Sequence, residues 1–132
     1  MANTMQFDLV TPERKLASFP ATEVQIPGAD GDLTAMQGHA PLITSLRPGV
    51  LRATGADGYK SFVVSGGFAE VTGDGVAVLA ERAVPIEEAT GTIIDSMLDE
   101  ARSLAAAALP EDKDAAMKLV HDIETLRGTV AI

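Results

Sequence analysis

The feature that most constrains this chain is a change of hydrophobic period at Pro85. Before it, apolar and polar residues alternate in short runs. After it, apolar residues recur at helical spacing. A period of two belongs to a half-buried strand, and a period near 3.6 to an amphipathic helix. A chain with both, in that order, builds a sheet domain and then a helical appendage. With 132 residues in all, the first part can bury a modest core, and the second is too short for a core of its own.

Several short runs read as strands. Met5, Phe7 and Leu9 alternate with Gln6 and Asp8, and Glu23–Ile26 stops at Pro27-Gly28. Leu42–Leu46 stops at Pro48-Gly49, and Val50–Ala53 stops near Asp57-Gly58. Ser61–Val64 runs into Gly66-Gly67, while Phe68–Val71 and Val76–Leu79 flank Thr72-Gly73-Asp74-Gly75. That last tetrapeptide is the best hairpin signal, since Asp and Gly tolerate the positive φ of tight turns. This spacing of strands and turns implies an antiparallel sandwich or barrel. Four Phe, one Tyr and no Trp predict a core built from Val, Leu, Ile, Met and Ala.

Past the switch, Pro85-Ile86-Glu87-Glu88 reads as a helix start, with proline in the first turn and acids facing the positive end of the dipole. Ala89, Ile93, Met97, Ala101, Leu104 and Ala108 form the expected stripe. Gly91 within it costs about 1 kcal/mol relative to Ala. Pro110 ends this helix, and Asp112 or Asp114 caps the next. Ala116, Leu119, Val120, Ile123 and Leu126 form the second stripe, and Gly128 is its expected stop. The short link predicts an antiparallel αα-hairpin.

Chemistry of the catalytic kind is hard to find. No Cys is present, which excludes disulfides, thiolate catalysis and zinc–cysteine sites. The two histidines, His39 and His121, fall in different parts without metal-ligand spacing. Ser65-Gly66-Gly67 lacks the Gly-x-Ser-x-Gly pattern and is expected to be a bulge between strands. Pro27–Asp32 is glycine-rich but lacks the Gly-Lys of a phosphate loop, and it is too short for an EF-hand. No cofactor is expected.

The net charge of −9 argues against nucleic acid and against adhesion to anionic lipid. The acids concentrate in the helical part, where ten stand against four basic residues. No apolar run approaches the ~18 residues of a spanning helix, so direct membrane insertion is not expected. The N-terminus shows no basic-then-apolar pattern of a secretory signal. A long amphipathic hairpin on a small sheet domain instead points to protein partners, either as part of an assembly or as a free-standing adaptor or ligand-binding module.

Five segments, taken in order, resemble the epsilon subunit family of bacterial F-type ATP synthases. They are Phe7–Glu13, Pro27–Asp32, Gly38–Thr44 with Arg47-Pro48-Gly49, Val64–Val71, and Val78–Ala83. The resemblance implies an all-β sandwich of ten strands over residues 1–85 and a C-terminal antiparallel αα-hairpin over residues 86–132. It implies a non-catalytic central-stalk subunit that couples the gamma subunit to the c-ring of a proton-translocating synthase. Its place would be peripheral, at the cytoplasmic face of the bacterial inner membrane. Through its helices it would reach the catalytic alpha and beta subunits and restrain ATP hydrolysis. Asp30, Gly31, Asp32 and His39 match the family's positions facing the c-ring.

Two departures from the family stand out. Ala35-Met36-Gln37 replaces the usual apolar residue and proline before Gly38. The family's ATP-binding motif, Ile/Leu-Asp-x-x-Arg-Ala, is missing where Ile86–Gly91 stands. A partial likeness, Leu98-Asp99-Glu100-Ala101-Arg102-Ser103, comes about three helical turns later, so ATP sensing is not expected.

Overall fold

The computed structural model describes residues 4–130. Residues 1–3 and 131–132, which the sequence assigns to the first and second parts, lie outside the described residues. The chain divides into two compact units, Met1–Ile86 and Glu87–Ile132.

The first unit carries eight strands: β1 Met5–Val10, β2 Lys15–Ala21, β3 Glu23–Gly28, β4 Gly31–Met36, β5 Leu42–Ser45, β6 Gly49–Gly55, β7 Gly58–Val71 and β8 Gly75–Pro85. They pair in the order β2-β1-β8-β7-β6-β3-β4, with β5 also on β7. The first half of β7 pairs with β6 and its last four residues with β5. The first half of β8 pairs with β1. Both long strands therefore serve two layers: β2, β1, β5 and one half of each form one, and β4, β3, β6 and the other halves form the second. Each layer thus has five strand segments, so eight continuous strands fill the places of a ten-stranded sandwich.

Two glycines mark the bend. Gly66 and Gly67 have φ of 73° and 89°, a region that only glycine enters readily. Ser65 pairs with Arg82 and Gly67 with Ala80 in unbroken register. The bulge expected at these glycines is thus absent, because positive φ turns the strand without an inserted residue. The pairing is also not wholly antiparallel, for β1 and β8 run parallel, from Gln6↔Gly75 to Val10↔Leu79. No hairpin joins these two, so alternation could not reveal their direction.

The inward residues form one core. Phe7, Leu9, Val71 and Val78 come from the first layer, and Val24, Ile26, Leu51 and Val64 from the second. Each fully buried side chain of this size contributes about 1.5–3 kcal/mol. The core is aliphatic apart from Phe7 and Phe62, whose rings lie 6.5 Å apart, and Phe19 packs edge-on against Phe7 at 5.3 Å. Pro20 sits in edge strand β2, where a missing N–H costs least.

The turn between β7 and β8 spans Thr72–Gly75. Neither glycine in it has positive φ. Instead the Thr72 hydroxyl accepts from the N–H groups of Asp74 and Gly75, at 3.3 and 3.1 Å, and Thr72 N–H donates to Gly75 O at 2.9 Å. The Thr72 side chain, rather than a left-handed glycine, closes this hairpin.

The second unit holds helices α1 Gly91–Ala107 and α2 Lys113–Val130, preceded by 3-10 turns at Ile86–Glu88 and Pro110–Asp112. Pro85 therefore ends a strand and does not open a helix. The cap is Thr90, whose hydroxyl accepts from Ile93 N–H at 3.3 Å. Gly91 opens α1 and does not interrupt it. The buried stripe of α1 is Ile94, Met97, Leu98, Ala101 and Ala105, while Leu104 is exposed. The buried face keeps Met97 and Ala101 of the expected stripe and takes Ile94, Leu98 and Ala105 in place of Ile93 and Leu104. In α2, Val120, Ile123 and Leu126 are buried as the spacing predicts. Gly128 lies inside α2 instead of ending it. Arg127 Nε donates to Asp95 at 3.1 Å and Arg102 pairs with Glu124 at 3.3 Å, so the helices run antiparallel.

Candidate functional site

Two surfaces of the sandwich bear residues that fit contact rather than folding. The first surrounds the β3–β4 turn. Gly28 pairs with Gly31, leaving Ala29-Asp30 at the tip. Gly31 has φ of 136°. Ala29 N–H donates to Ser45 O at 2.8 Å, fastening the tip to β5. Asp30 and Asp32 are exposed. Asp32 is paired with Arg47, whose Nε also donates to Gly28 O at 3.1 Å. Between the tip and β5 runs a cleft of about 460 Å³ lined by Asp30, Asp32, Leu33 and Ile43 among others. Arg47 is a member of this site that the sequence did not single out. The available signal was a lone arginine in a signature segment otherwise poor in cations.

His39 lies at the opposite end of β4, about 17 Å along the strand from Gly31 by strand rise. His39 N–H donates to Met36 O at 3.0 Å, and Gly38 between them has φ of 87°. This is the geometry of a type II turn, with Gln37 where proline is favoured. The proline missing from the family pattern is thus dispensable for the turn itself. Gly38 N–H donates to Gly73 O at 2.9 Å, joining the turn to the β7–β8 hairpin. The His39 ring meets Ala40 O at 2.7 Å. A carbonyl only accepts, so Nδ1 carries the proton. The structure thus brings Asp30, Gly31 and Asp32 together and places His39 at the other end of the same strand.

The second surface is the outer face of the first layer. Cross-strand register places Ser45, Phe68, Leu79, Val10 and Lys15 in one row. Phe68 and Leu79 are 42 % and 46 % exposed, and Ile43, diagonal to Phe68, is 65 % exposed. The adjoining row is Ile43, Glu70, Ala77, Asp8 and Ser18. The Ser18 hydroxyl donates to the Asp8 carboxylate and lowers its pKa against the opposing effect of burial, with lesser help from Gln6 and Lys15. The result is an apolar row bordered by carboxylates. Phe68 and Leu79 are apolar, so alternation does not mark them as outward, and only register assembles them into a patch.

In the helical unit, Leu98 and Ala101 are buried, and Arg102 is engaged by Glu124. The Arg102 guanidinium of the partial motif is thus paired within the hairpin. Among the described residues, no helix is long and apolar enough to cross a membrane.

These features define a class. Residues 4–86 match the family described as ATP synthase, Delta/Epsilon chain, beta-sandwich domain. The ATP synthase epsilon chain of Cereibacter sphaeroides is 59 % identical over 129 residues, covering 98 % of each chain. That of Fuscovulum blasticum is 58 % identical over 97 % of each. The Paracoccus denitrificans epsilon chain is 49 % identical over 96 % of this chain and 90 % of its own. The chain belongs to the ATP synthase epsilon chain family. A chain in the Euglena gracilis mitochondrial ATP synthase OSCP/F1/c-ring structure shares the fold, with a TM-score of 0.72 at 24 % identity over 96 % of this chain and 81 % of that one.

Proposed function

We propose that this subunit couples the gamma subunit to the c-ring without catalytic residues of its own, the sandwich of residues 1–85 making the coupling contacts and the hairpin of residues 86–132 regulating. The observation that carries this reading is the row Phe68–Leu79–Val10, an apolar strip on an otherwise solvated sheet face. Such a strip with a charged border suits a protein partner. Gamma docks there, with Asp8 and Glu70 favouring a basic rim on its surface. The β3–β4 turn, with Asp30, Gly31 and Asp32, and the His39 turn meet the polar loops of the c-ring. The subunit is held peripherally at the cytoplasmic face of the bacterial inner membrane by these partners. The acidic helices reach the catalytic alpha and beta subunits and restrain hydrolysis.

Mixing the purified chain with gamma tests the reading. A stable complex is expected, and removal of Glu87–Ile132 should leave it intact. A chain that stays monomeric beside gamma overturns the proposal and favours a free-standing adaptor.

A further inference from the structure

We propose that Arg47 is the positioning residue of the β3–β4 turn, and that it divides the labour of the two aspartates there. This rests on the reading that the turn is a c-ring contact. Three tethers converge on Arg47. Its backbone N–H donates to Pro27 O at 3.0 Å, its Nε donates to Gly28 O at 3.1 Å, and its Nη2 pairs with Asp32 Oδ1. Pro27 and Gly28 are buried, whereas the Asp32 side chain is 77 % exposed. Arg47 thus links the inner wall of the turn to its outer one. A planar guanidinium presents several donors in a fixed fork and serves a carbonyl and a carboxylate together. The segment that follows is fitted to the same place, since a Cβ at Gly49 would stand 2.7 Å from Pro27 Cβ.

The consequence concerns charge. Asp32 is compensated by Arg47 and acts as the pin that fixes the outer strand of the turn. Asp30 is exposed at the tip and has no ion pair among the described residues. It is therefore the charge the turn presents to a partner. Arg47 does not touch that partner; it sets where Asp30 points.

Two measurements on the full chain separate these roles: amide hydrogen exchange by NMR, and binding of the gamma-bound subunit to purified c-ring in detergent. Arg47→Ala should speed exchange at Ala29, Asp30, Gly31 and Asp32 about tenfold, the scale of losing a charge-assisted hydrogen bond. Exchange at core positions such as Leu9 and Val64 should not change. Ring binding should weaken by a similar factor. Arg47→Lys should restore only part of both, because an ammonium is a point donor without the fork. Asp32→Asn should reproduce the exchange change, and Asp30→Asn should weaken ring binding while leaving exchange alone. Should Arg47→Ala fold poorly, Arg47→Lys and Asp32→Asn carry the test. Unchanged exchange in Arg47→Ala, or full recovery with lysine, overturns the positioning role. If Asp30→Asn and His39→Ala leave ring binding intact while Arg47→Ala still loosens the turn, the contact reading fails and the positioning stands.

Discussion

Phe68 and Leu79 stand directly opposite each other on β7 and β8, both pointing out of the sandwich. In the free subunit neither supports the core. Replacing both by alanine should leave the urea midpoint nearly unchanged, within about 0.5 kcal/mol of the wild-type stability. Affinity for gamma should fall by about 2 kcal/mol, roughly thirtyfold, if this pair is the anchor of the interface. Calorimetric titration of gamma against the double variant gives the answer, and wild-type affinity would move the interface elsewhere.

Gly67 is the tightest point of the sheet. Its φ is 89°, and a Cβ there would collide with the Leu79 carbonyl oxygen. Neither backbone group can yield without breaking the β7–β8 pairing. Gly67→Ala should cost about 3 kcal/mol, combining backbone strain with the clash. Gly73→Ala, where a Cβ meets nothing within 4 Å and φ is not positive, should be nearly neutral. Urea unfolding of the two variants side by side tests the contrast.

The Ser18–Asp8 contact has a pH signature. Because the folded pKa of Asp8 is lowered, chiefly by the Ser18 hydrogen bond, the contact stabilises above the unfolded carboxylate pKa. It is lost as pH falls through the folded value. Ser18→Ala should raise the Asp8 pKa toward its ordinary value and flatten this part of the acid limb. Side-chain carboxyl NMR of Asp8 during an acid titration reads the shift directly.

Thr90 begins the helical unit. Thr90→Ala removes the acceptor for Ile93 N–H and should cost α1 about 1 kcal/mol, whereas Thr90→Ser should keep most of it. Faster amide exchange confined to the first turn of α1 is the expected result.

How much of this could be read from the residues follows from where they sit. Met5, Phe7 and Leu9 were legible because β1 has one face in the core and one outside, the condition under which period two appears. β2 and β4 escaped notice because they are edge strands with few buried residues. β4 fully buries only Ala35, and β2 only Ala21 and includes Pro20. Pro85 misled because proline suits both a strand end and a helix start. The threonine five residues later decided between them. The residues proposed to face partners divide in the same way. Asp30, Gly31 and Asp32 announce a turn by composition. The arginine that holds Asp32 lies fifteen residues away, and the row Phe68–Leu79–Val10 unites three strands whose order no local pattern records.

The parallel pairing of β1 with β8 also bears on how the protein comes to be made. β1 has β2 on one side from the start, but its other edge waits for Gly75–Leu79, nearly the whole sandwich later. Long separations between paired strands slow folding, since the loop must close before the contact rewards it. During synthesis β1 lacks its second partner until β8, the last strand of the sandwich, has been made. The sandwich closes only once β8 has emerged, and the Phe68–Leu79–Val10 strip comes into being with that last strand. The proposed gamma contact through that strip is therefore open only to chains whose β8 has paired.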